Sequence, residues 1–313
     1  RIITGTERLC QRPVGPLVDA LRSLGAHIDC LHTEGYPPLR VEGNPDMEGG
    51  RLTMRGNVSS QFISALLMIA PMMRRGLQLT LEGEIVSRPY IDMTIQLMRA
   101  FGAHVSWTSP SVIAVESGYP LLTDLPDNLV EADWSAASYW YELNAACPDA
   151  VIHLEHLRRD SLQGDSVCHD IFEQLTACHQ QRQPFHYDFS HCPDLTQTVV
   201  CTCCMLNLPF RFTGLQTLRI KETDRIAALQ TELLKLGYRL STGGIDLQWE
   251  GHRTTAHPHP VIHTYDDHRM AMSFAPFVVT EGTLCIDNPE VVDKSYPSFW
   301  PALQSTGITP CSI

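Results

Sequence analysis

Residues 219–237, RIKETDRIAALQTELLKLG, place five charged side chains ahead of an amphipathic helix. Apolar residues from Ile226 to Leu236 recur at three- and four-residue steps, which predicts one buried helix face, and Gly237 predicts a left-handed cap. That buried face needs none of the five charges, so they predict either a solvated helix end or a chemical site. The five are Arg219, Lys221, Glu222, Asp224 and Arg225.

Cations recur where other helical patterns begin, at Arg12, Arg269 and Lys294. A cation at a helix N-terminus opposes the helix macrodipole at a cost of about 0.3–1 kcal/mol, whereas the free N–H groups there favour an anion. Capping accounts for Asp133 and Asp194 without any ligand. It does not account for the cations, which therefore predict a ligand that carries several negative charges.

The predicted helices form two interleaved series with a shared period of about 75 residues, the signature of repeated supersecondary units. Short β-rich stretches lie between them: RLTMRG (51–56), LQLTLEGEI (77–85), TLRI (217–220) and LCIDN (284–288). The chain is therefore predicted to have an α/β fold. The third copy of the unit is short by about 14 residues, roughly one β-hairpin.

Composition limits the classes of partner. A chain of 313 residues with 43% hydrophobic content can bury a large core and predicts two domains. A net charge of −12 argues against nucleic acid or an anionic membrane as a partner. The longest apolar run, 62–73, is too short to cross a bilayer, and the start of the chain has no apolar signal core, so we expect a cytoplasmic protein.

The cysteines and histidines do not predict a metal site. The densest cysteine group, Cys201, Cys203 and Cys204, lies inside the apolar run VVCTCCMLNL, which favours buried reduced thiols in a helix. No HExxH spacing occurs in the sequence.

Several motifs together resemble those of the 5-enolpyruvylshikimate-3-phosphate synthase family (3-phosphoshikimate 1-carboxyvinyltransferases), in the order found there. The motifs are GNVSSQ, VSRPYID, VEADWSAASYW, QGD, RIKETDR, YDDHRMAM and VVDKSYPSFW. The resemblance is strongest to bacterial members and implies a two-domain α/β fold of repeated βαβαββ units, with helix N-termini converging on the interdomain cleft. It implies a partial first domain at 1–128 and a second domain at 129–313.

The resemblance also implies a reaction of the shikimate pathway, which leads to chorismate and the aromatic amino acids. The 5-hydroxyl of shikimate 3-phosphate adds to C2 of phosphoenolpyruvate while C3 is protonated, and the adduct then loses phosphate. The implied enzyme is a transferase that uses no metal and no organic cofactor. Its partners are these two small molecules, with no nucleic acid or membrane, and family members are usually monomers.

Site residues are carried over by motif. Phosphoenolpyruvate is expected to bind Arg12, Gln61, Arg225, Arg269 and Lys294; shikimate 3-phosphate is expected to bind Ser59, Ser60, Gln61, Ser87, Asp194 and Lys221. The expected catalytic residues are Asp194, as proton acceptor at the 5-hydroxyl, Glu222, in proton transfer at the methylene carbon, and Lys294, as proton donor on the leaving side. We expect Asp224 and Arg219 to make local ion pairs or caps.

Other interpretations of these residues stay open. Ser59 and Ser60 could cap their helix, Ser87 could be a strand-end hydroxyl, and Glu222 could be an ordinary first-turn acid. Thr217 stands where some bacterial relatives have an Asn that contacts shikimate 3-phosphate.

Two further hypotheses for the whole chain stay open. The family's first repeat unit should precede Arg1, so the chain could be a truncated, inactive fragment that at most binds anions. It could also be the enolpyruvyltransferase acting on UDP-N-acetylglucosamine, which shares the fold, although that family relies on a Cys-bearing loop and the motifs KETDR and SSQ favour shikimate 3-phosphate.

Overall fold

A computed structural model describes residues 1–118 and 130–309 of the chain. The chain divides into two compact units, Arg1–Val130 and Glu131–Ile313. The expected domain boundary between 128 and 129 lies outside the described residues and stays a prediction. Within the described ranges, none of the helices combines the length and the hydropathy that a membrane crossing requires.

The described residues of the first unit form two sheets and four α-helices. The elements are β1 (Ile2–Ile3), α1 (Glu7–Cys10), α2 (Gly15–Ser23), β2 (His27–Cys30), β3 (Leu39–Glu42), β4 (Gly50–Arg55), α3 (Ser60–Ile69), β5 (Leu77–Glu82), α4 (Arg88–Ala100), β6 (Val105–Ser109) and β7 (Val112–Val115). One sheet has the strand order β1-β3-β2, all antiparallel, and the other has the order β4-β5-β7-β6.

The core of the first unit lies between the four-stranded sheet and helices α3 and α4. Strand β5 alternates between buried and more exposed residues, and it buries Leu77, Leu79 and Leu81. This period of two is what a sheet covered on one face requires. Strands β4 and β5 run parallel, whereas β7 pairs antiparallel with both β5 and β6.

The second unit has a three-stranded sheet, β10-β9-β8, and a two-stranded sheet, β11-β12. Its elements are α5 (Trp134–Ala146), α6 (Cys168–Gln181), β8 (Phe185–Asp188), α7 (Thr196–Met205), β9 (Phe210–Thr213), α8 (Arg225–Lys235), β10 (Leu247–Trp249), β11 (Val261–Ile262), α9 (His268–Phe274), α10 (Val278–Glu281), β12 (Cys285–Ile286) and α11 (Phe299–Ser305). Short 3-10 helices include Pro193–Leu195, Gln216–Ile220 and Pro289–Lys294.

Helix α7 is the centre of the second unit. Every residue of the helix is buried, including Cys201, Cys203 and Cys204, and the three thiols are free. The prediction of buried reduced thiols in a helix is confirmed. Burial raises the pKa of each of these thiols well above its ordinary value, which keeps them protonated and unreactive.

The shortened third repeat lacks a hairpin. Helices α2 and α4 are each followed by an antiparallel strand pair, and after α8 the chain makes the antiparallel bridges Tyr238↔Arg253 and Ser241↔Gln248. After α6 the chain passes directly to β8, which pairs parallel with β9. The deficit in sequence spacing therefore corresponds to one missing β-hairpin.

Helix α8 agrees with its sequence pattern, but the neighbouring segment does not. Ile226, Leu229 and Leu233 are buried, and Gly237 adopts φ +87°. The prediction of a β-rich stretch at 217–220 is wrong, because this segment lies in the 3-10 helix Gln216–Ile220. Leu215 and Leu218 are buried at a spacing of three, whereas Ile220 is 79% exposed, so the apolar positions fit a tight helical turn and not a strand.

Candidate active site

The expected site residues cluster in the segments that follow parallel strands. Within each unit the parallel pairs are β4–β5, β8–β9 and β11–β12. Since parallel strands end at the same edge of a sheet, the segment after each member of a pair begins beside the segment after the other. This places Ser59 and Ser60 near Ser87 in the first unit, and Asp194 near the 221–225 segment in the second.

In the first unit the segments after β4 and β5 are joined by backbone hydrogen bonds. The Gly56 N–H donates to the Glu82 carbonyl at 2.8 Å, and the Val86 N–H donates to the Gly56 carbonyl at 3.3 Å. Ser60 and Gln61 open α3, and Ser87 immediately precedes α4. These serines and Gln61 therefore lie at one edge of the four-stranded sheet.

Arg12 is exposed and lies in the turn between α1 and α2. A cavity of about 470 Å³ lies between α2 and β4, and its lining extends from Pro16 at the start of α2 to Val58 just before Ser59. The start of α2 thus borders the same edge of the sheet as the serines.

Ser59 and Ser87 do not fill the structural roles, helix cap and strand end, that the sequence left open for them. Ser59 occupies the N-cap position of α3 but makes no side-chain capping hydrogen bond. Ser87 is buried, and its backbone is left-handed at φ +54°, ψ +36°. It does not end a strand, since β5 ends at Glu82. A buried non-glycine residue held in this conformation indicates a constraint beyond simple helix capping.

In the second unit Arg225 is the hub of a charged network. It is only 1% exposed and is the first residue of α8. Its Nε donates to Asp267 Oδ2 at 2.7 Å, its Nη1 to Asp194 Oδ1 at 2.9 Å and its Nη2 to Glu222 Oε2 at 2.9 Å. The planar guanidinium fork thus contacts three carboxylates at once.

Asp194 lies in the 3-10 helix ahead of α7 and contacts three cations. Besides Arg225, the Lys221 ammonium lies 3.3 Å from Oδ1 and the Arg269 guanidinium 3.4 Å from Oδ2. Arg269 also donates to the Asp194 carbonyl at 3.1 Å. The alternative interpretation of Asp194 as a helix cap is therefore wrong: its carboxylate oxygens contact side-chain cations, and neither described helix start here has a side-chain capping hydrogen bond.

These contacts determine the protonation of the network. Burial tends to raise the pKa of Asp194, but the charges of Arg269, Lys221 and Arg225 outweigh it and hold that pKa well below its ordinary value. Burial likewise opposes ionisation of Asp267, and the Arg225 charge overcomes it, so its pKa is lowered. Both carboxylates are ionised at neutral pH.

Arg219 and Asp224 make the local contacts expected of them. The Arg219 Nη1 donates to Asp224 Oδ2 at 2.7 Å, and Asp224 Oδ1 caps α8 by accepting from the Ala227 N–H at 3.1 Å. The prediction of an ion pair and a cap is confirmed.

Thr217 lies in the preceding 3-10 helix, and its buried hydroxyl has no hydrogen-bond partner among the described residues.

Lys294 ends the 3-10 helix Pro289–Lys294 and does not begin α11, so the helix-dipole argument does not apply to it. Its Nζ donates to the Asp266 carbonyl at 2.7 Å. Asp266 immediately precedes Asp267, the partner of Arg225. This contact connects Lys294 to the segment that carries Asp267 and Arg269.

Sequence reasoning missed Asp267 as a member of the site. It is 0% exposed, binds Arg225, and caps α9 by accepting from the Arg269 N–H at 2.9 Å. The repeated Asp or Asn at helix starts was a usable signal, but it also fits capping alone.

His268 and Tyr139 lie within electrostatic range of the network. Burial and the nearby Arg269 lower the pKa of His268 to about 4, so its side chain is neutral at pH 7.

The network is balanced in charge. Its carboxylates are Asp194, Glu222 and Asp267, and its cations are Lys221, Arg225 and Arg269. From sequence alone, cations at helix starts predict an external anion that compensates them. For Arg225 and Arg269 the chain's own carboxylates supply that compensation, and they come from segments distant in sequence.

One group of possible metal ligands occurs among the described residues: His169, Asp170 and Glu173 of α6. The Arg159 guanidinium nitrogens lie 2.9 and 2.6 Å from the two ring nitrogens of His169, so both ring nitrogens are already in contact with a cation. The group lies outside the network around Arg225.

Comparison with known proteins identifies the family. A family model described as EPSP synthase (3-phosphoshikimate 1-carboxyvinyltransferase) matches residues 1–303. The chain belongs to the EPSP synthase family. A family member from Bacteroides fragilis, named 3-phosphoshikimate 1-carboxyvinyltransferase, is 51% identical over 319 aligned positions that cover 97% of this chain and 77% of that protein. A relative of the same name from Sulfurovum sp. is 35% identical and covers 97% and 73% respectively.

Solved structures of EPSP synthases show the same fold. The enzyme from Acinetobacter baumannii superposes with a TM-score of 0.69 at 20% sequence identity, over 98% of this chain and 74% of that one. The expected two-domain α/β fold of this family is confirmed.

Proposed function

We propose that this chain transfers the enolpyruvyl group of phosphoenolpyruvate to the 5-hydroxyl of shikimate 3-phosphate and releases phosphate. Membership of the EPSP synthase family and the names of its relatives support this reaction. The observation in the chain itself that supports it best is the bracketing of Asp194 by Lys221, Arg225 and Arg269. A proton acceptor surrounded by cations suits a reaction between two anionic substrates.

Asp194 is the proposed base. It accepts the proton of the 5-hydroxyl as that oxygen bonds to C2 of phosphoenolpyruvate, while C3 takes a proton from Glu222. The adduct then returns a C3 proton to Glu222 as the C2–O bond to phosphate breaks, and Lys294 protonates the leaving phosphate, which leaves the enolpyruvyl ether. The substrate phosphates and carboxylates bind Arg12, Gln61, Arg225, Arg269 and Lys294 for phosphoenolpyruvate, and Ser59, Ser60, Gln61, Ser87 and Lys221 for shikimate 3-phosphate.

Substrate binding changes the pKa of the proposed base, Asp194. In the free protein three cations lower the pKa of Asp194, which makes it a weak proton acceptor. Ligand anions that take over Lys221, Arg225 and Arg269 neutralise those cations and raise the Asp194 pKa toward its ordinary value. Asp194 thus becomes a stronger base only when both substrates are present.

Phosphate release from the purified chain, mixed with both substrates, tests the proposal. Arg225→Lys keeps the charge beside the buried Asp267 but loses the guanidinium fork, so we expect roughly a 100-fold loss of turnover. Arg219→Lys is the matched control. Arg219 lies six positions before Arg225, and among the described residues its guanidinium bonds Asp224 and the Gly244 carbonyl. Full turnover in Arg225→Lys, or no turnover in the folded unmodified chain, contradicts the proposal.

We further propose that the protein acts in the cytoplasm as a monomer, without nucleic acid or membrane partners. A single molecular mass in solution, unchanged by either substrate, is the result expected from light scattering.

A further inference from the structure

The segment that carries Asp267 and Arg269 has an unusual backbone. Tyr265 and Asp266 are consecutive and both left-handed, each with φ +54°. Non-glycine residues adopt this conformation at a cost and keep it only where neighbouring groups impose it. Side chains that hold this pair therefore determine where Asp267 and Arg269 lie.

A buried carboxylate of α8 holds the pair from one side. Glu232 is 0% exposed, and its Oε1 accepts from the Tyr265 hydroxyl at 2.7 Å. Its Oε2 accepts from the His263 N–H at 2.9 Å and from Lys235 Nζ at 2.6 Å. Glu232 therefore has a compensating cation and bonds the chain on both sides of Thr264.

Residues 287–294 hold the pair from the other side. Asp287 accepts from the Thr264 N–H at 2.8 Å, and Asn288 donates to the Asp266 carboxylate at 2.8 Å. Lys294 donates to the Asp266 carbonyl at 2.7 Å. The orientation of the Asp266 carbonyl thus also determines where the Lys294 ammonium lies.

We propose that Glu232 and Tyr265 are positioning residues for the site. Two residues of helix α8 hold the 263–267 segment: Arg225, its first residue, bonds Asp267, and Glu232, two turns later, bonds Tyr265 and the His263 N–H. The second contact fixes the left-handed pair, which directs Asp267 toward Arg225 and the Asp266 carbonyl toward Lys294. This role deepens the proposed function and rests on it.

Tyr265→Phe tests the role with little risk to folding. The ring is 38% exposed, and Glu232 keeps its bonds to Lys235 and the His263 N–H. Loss of one hydrogen bond to a charged acceptor is expected to lower kcat about tenfold, with a smaller change in KM and in Tm. Glu232→Gln keeps one acceptor oxygen for the tyrosine hydroxyl, but its amide nitrogen faces two donors, Lys235 Nζ and the His263 N–H, so Tm is expected to fall together with kcat.

A second measurement does not depend on turnover. Amide hydrogen exchange of the substrate-free protein should show faster exchange at Asp267 and Arg269 in Tyr265→Phe, because their N–H groups bond Thr264 O and Asp267 Oδ1. Tyr141→Phe, elsewhere in the second unit, is the control and should change neither kcat nor exchange at these residues.

The outcomes separate the two proposals. Wild-type kcat together with unchanged exchange in Tyr265→Phe overturns the positioning role, as does a fall in Tm with kcat unchanged. Absence of turnover in the unmodified chain contradicts the proposed function. Even then, faster amide exchange at Asp267 and Arg269 in Tyr265→Phe supports the positioning role of Tyr265.

Discussion

Arg225 shows at the scale of one residue how the chain prepares a site for anions. A buried arginine needs compensating carboxylates, since an unpaired buried charge costs about 3–5 kcal/mol. Asp194, Glu222 and Asp267 supply them. The same carboxylates fix the guanidinium plane before any ligand arrives, so less reorganisation is needed when a ligand binds.

Glu142 is a second buried carboxyl group, with no role in this network. It lies on α5 at 0% exposure, and neither carboxyl oxygen has a hydrogen-bond partner among the described residues. Burial raises its pKa well above the ordinary 4.5, so the folded protein holds it neutral. Above pH 4.5 the unfolded chain releases this proton and the folded chain does not, so stability falls as pH rises toward the folded-state pKa.

We therefore predict that Glu142→Gln stabilises the protein at pH 7 but not at pH 4. The increase in the free energy of unfolding, relative to the unmodified protein, should grow by about 1.4 kcal/mol per pH unit above pH 4.5, until the folded-state pKa of Glu142 is reached. Thermal unfolding at several pH values measures it. A difference in Tm that is the same at pH 4 and pH 7 would contradict the assignment of a neutral buried carboxyl group.

The residue scale also shows what sequence could and could not predict about the site. Lys221, Glu222 and Arg225 are recognisable because five charges precede a helix whose buried face does not use them. The partner Asp267 lies 42 positions from Arg225, and only the tertiary fold brings the two together. The spacing of residues along the chain carries no signal for such a contact.

At the scale of elements, α8 links two parts of the site. Its first residue is Arg225, and its C-terminus is closed by Gly237 at φ +87°. A Cβ built on Gly237 would lie 2.6 Å from the Thr254 carbonyl oxygen, closer than any ordinary contact. The chain reverses tightly here because glycine leaves room for another backbone segment.

We predict that Gly237→Ala destabilises the protein by more than the roughly 1 kcal/mol that left-handed backbone strain alone costs. Gly282→Ala is the matched control in the same unit, because Gly282 also has positive φ, +75°, but no atom of the described residues lies within 4 Å of its Cβ position. Chemical denaturation of both variants measures the difference. Equal losses in the two would show that the Thr254 backbone moves aside at little cost.

Element assignment from sequence succeeded where the apolar spacing was long and regular. The α8 pattern extends over three turns, and the structure has a helix there. The 217–220 segment is only four residues long, and at that length an apolar run does not distinguish a strand from a 3-10 turn. Lys294 was placed at a helix start because the short turn that it ends was not recognised.

At the scale of the whole molecule, the repeat explains why one short unit is tolerated. In the first unit the hairpin after α4 extends the sheet from β5 through β7 to β6, so β6 lies at the edge. If such a hairpin is removed, the sheet loses strands at its edge but keeps its pair of parallel strands. In the second unit the parallel pair β8–β9, which leads to Asp194 and Lys221, is intact although no hairpin follows α6.

The balanced charge of the Arg225 network has a consequence for how fast anions reach it. A chain of net charge −12 repels anionic ligands at long range, and three cations paired with three carboxylates create little attractive field to offset that repulsion. Association should therefore be slower than an exposed cluster of arginines would allow. Added salt should speed it modestly or leave it unchanged, because salt screens the repulsion.

Stopped-flow binding of phosphoenolpyruvate at low and high ionic strength measures this. We predict that Asp194→Asn, which leaves the network one positive charge in excess, makes the association rate fall as salt is added. A rate that already falls steeply with salt in the unmodified protein would contradict a balanced network. In a balanced network, the carboxylates that hold the cations in place compete with incoming anions, which slows binding but favours ligands able to displace them.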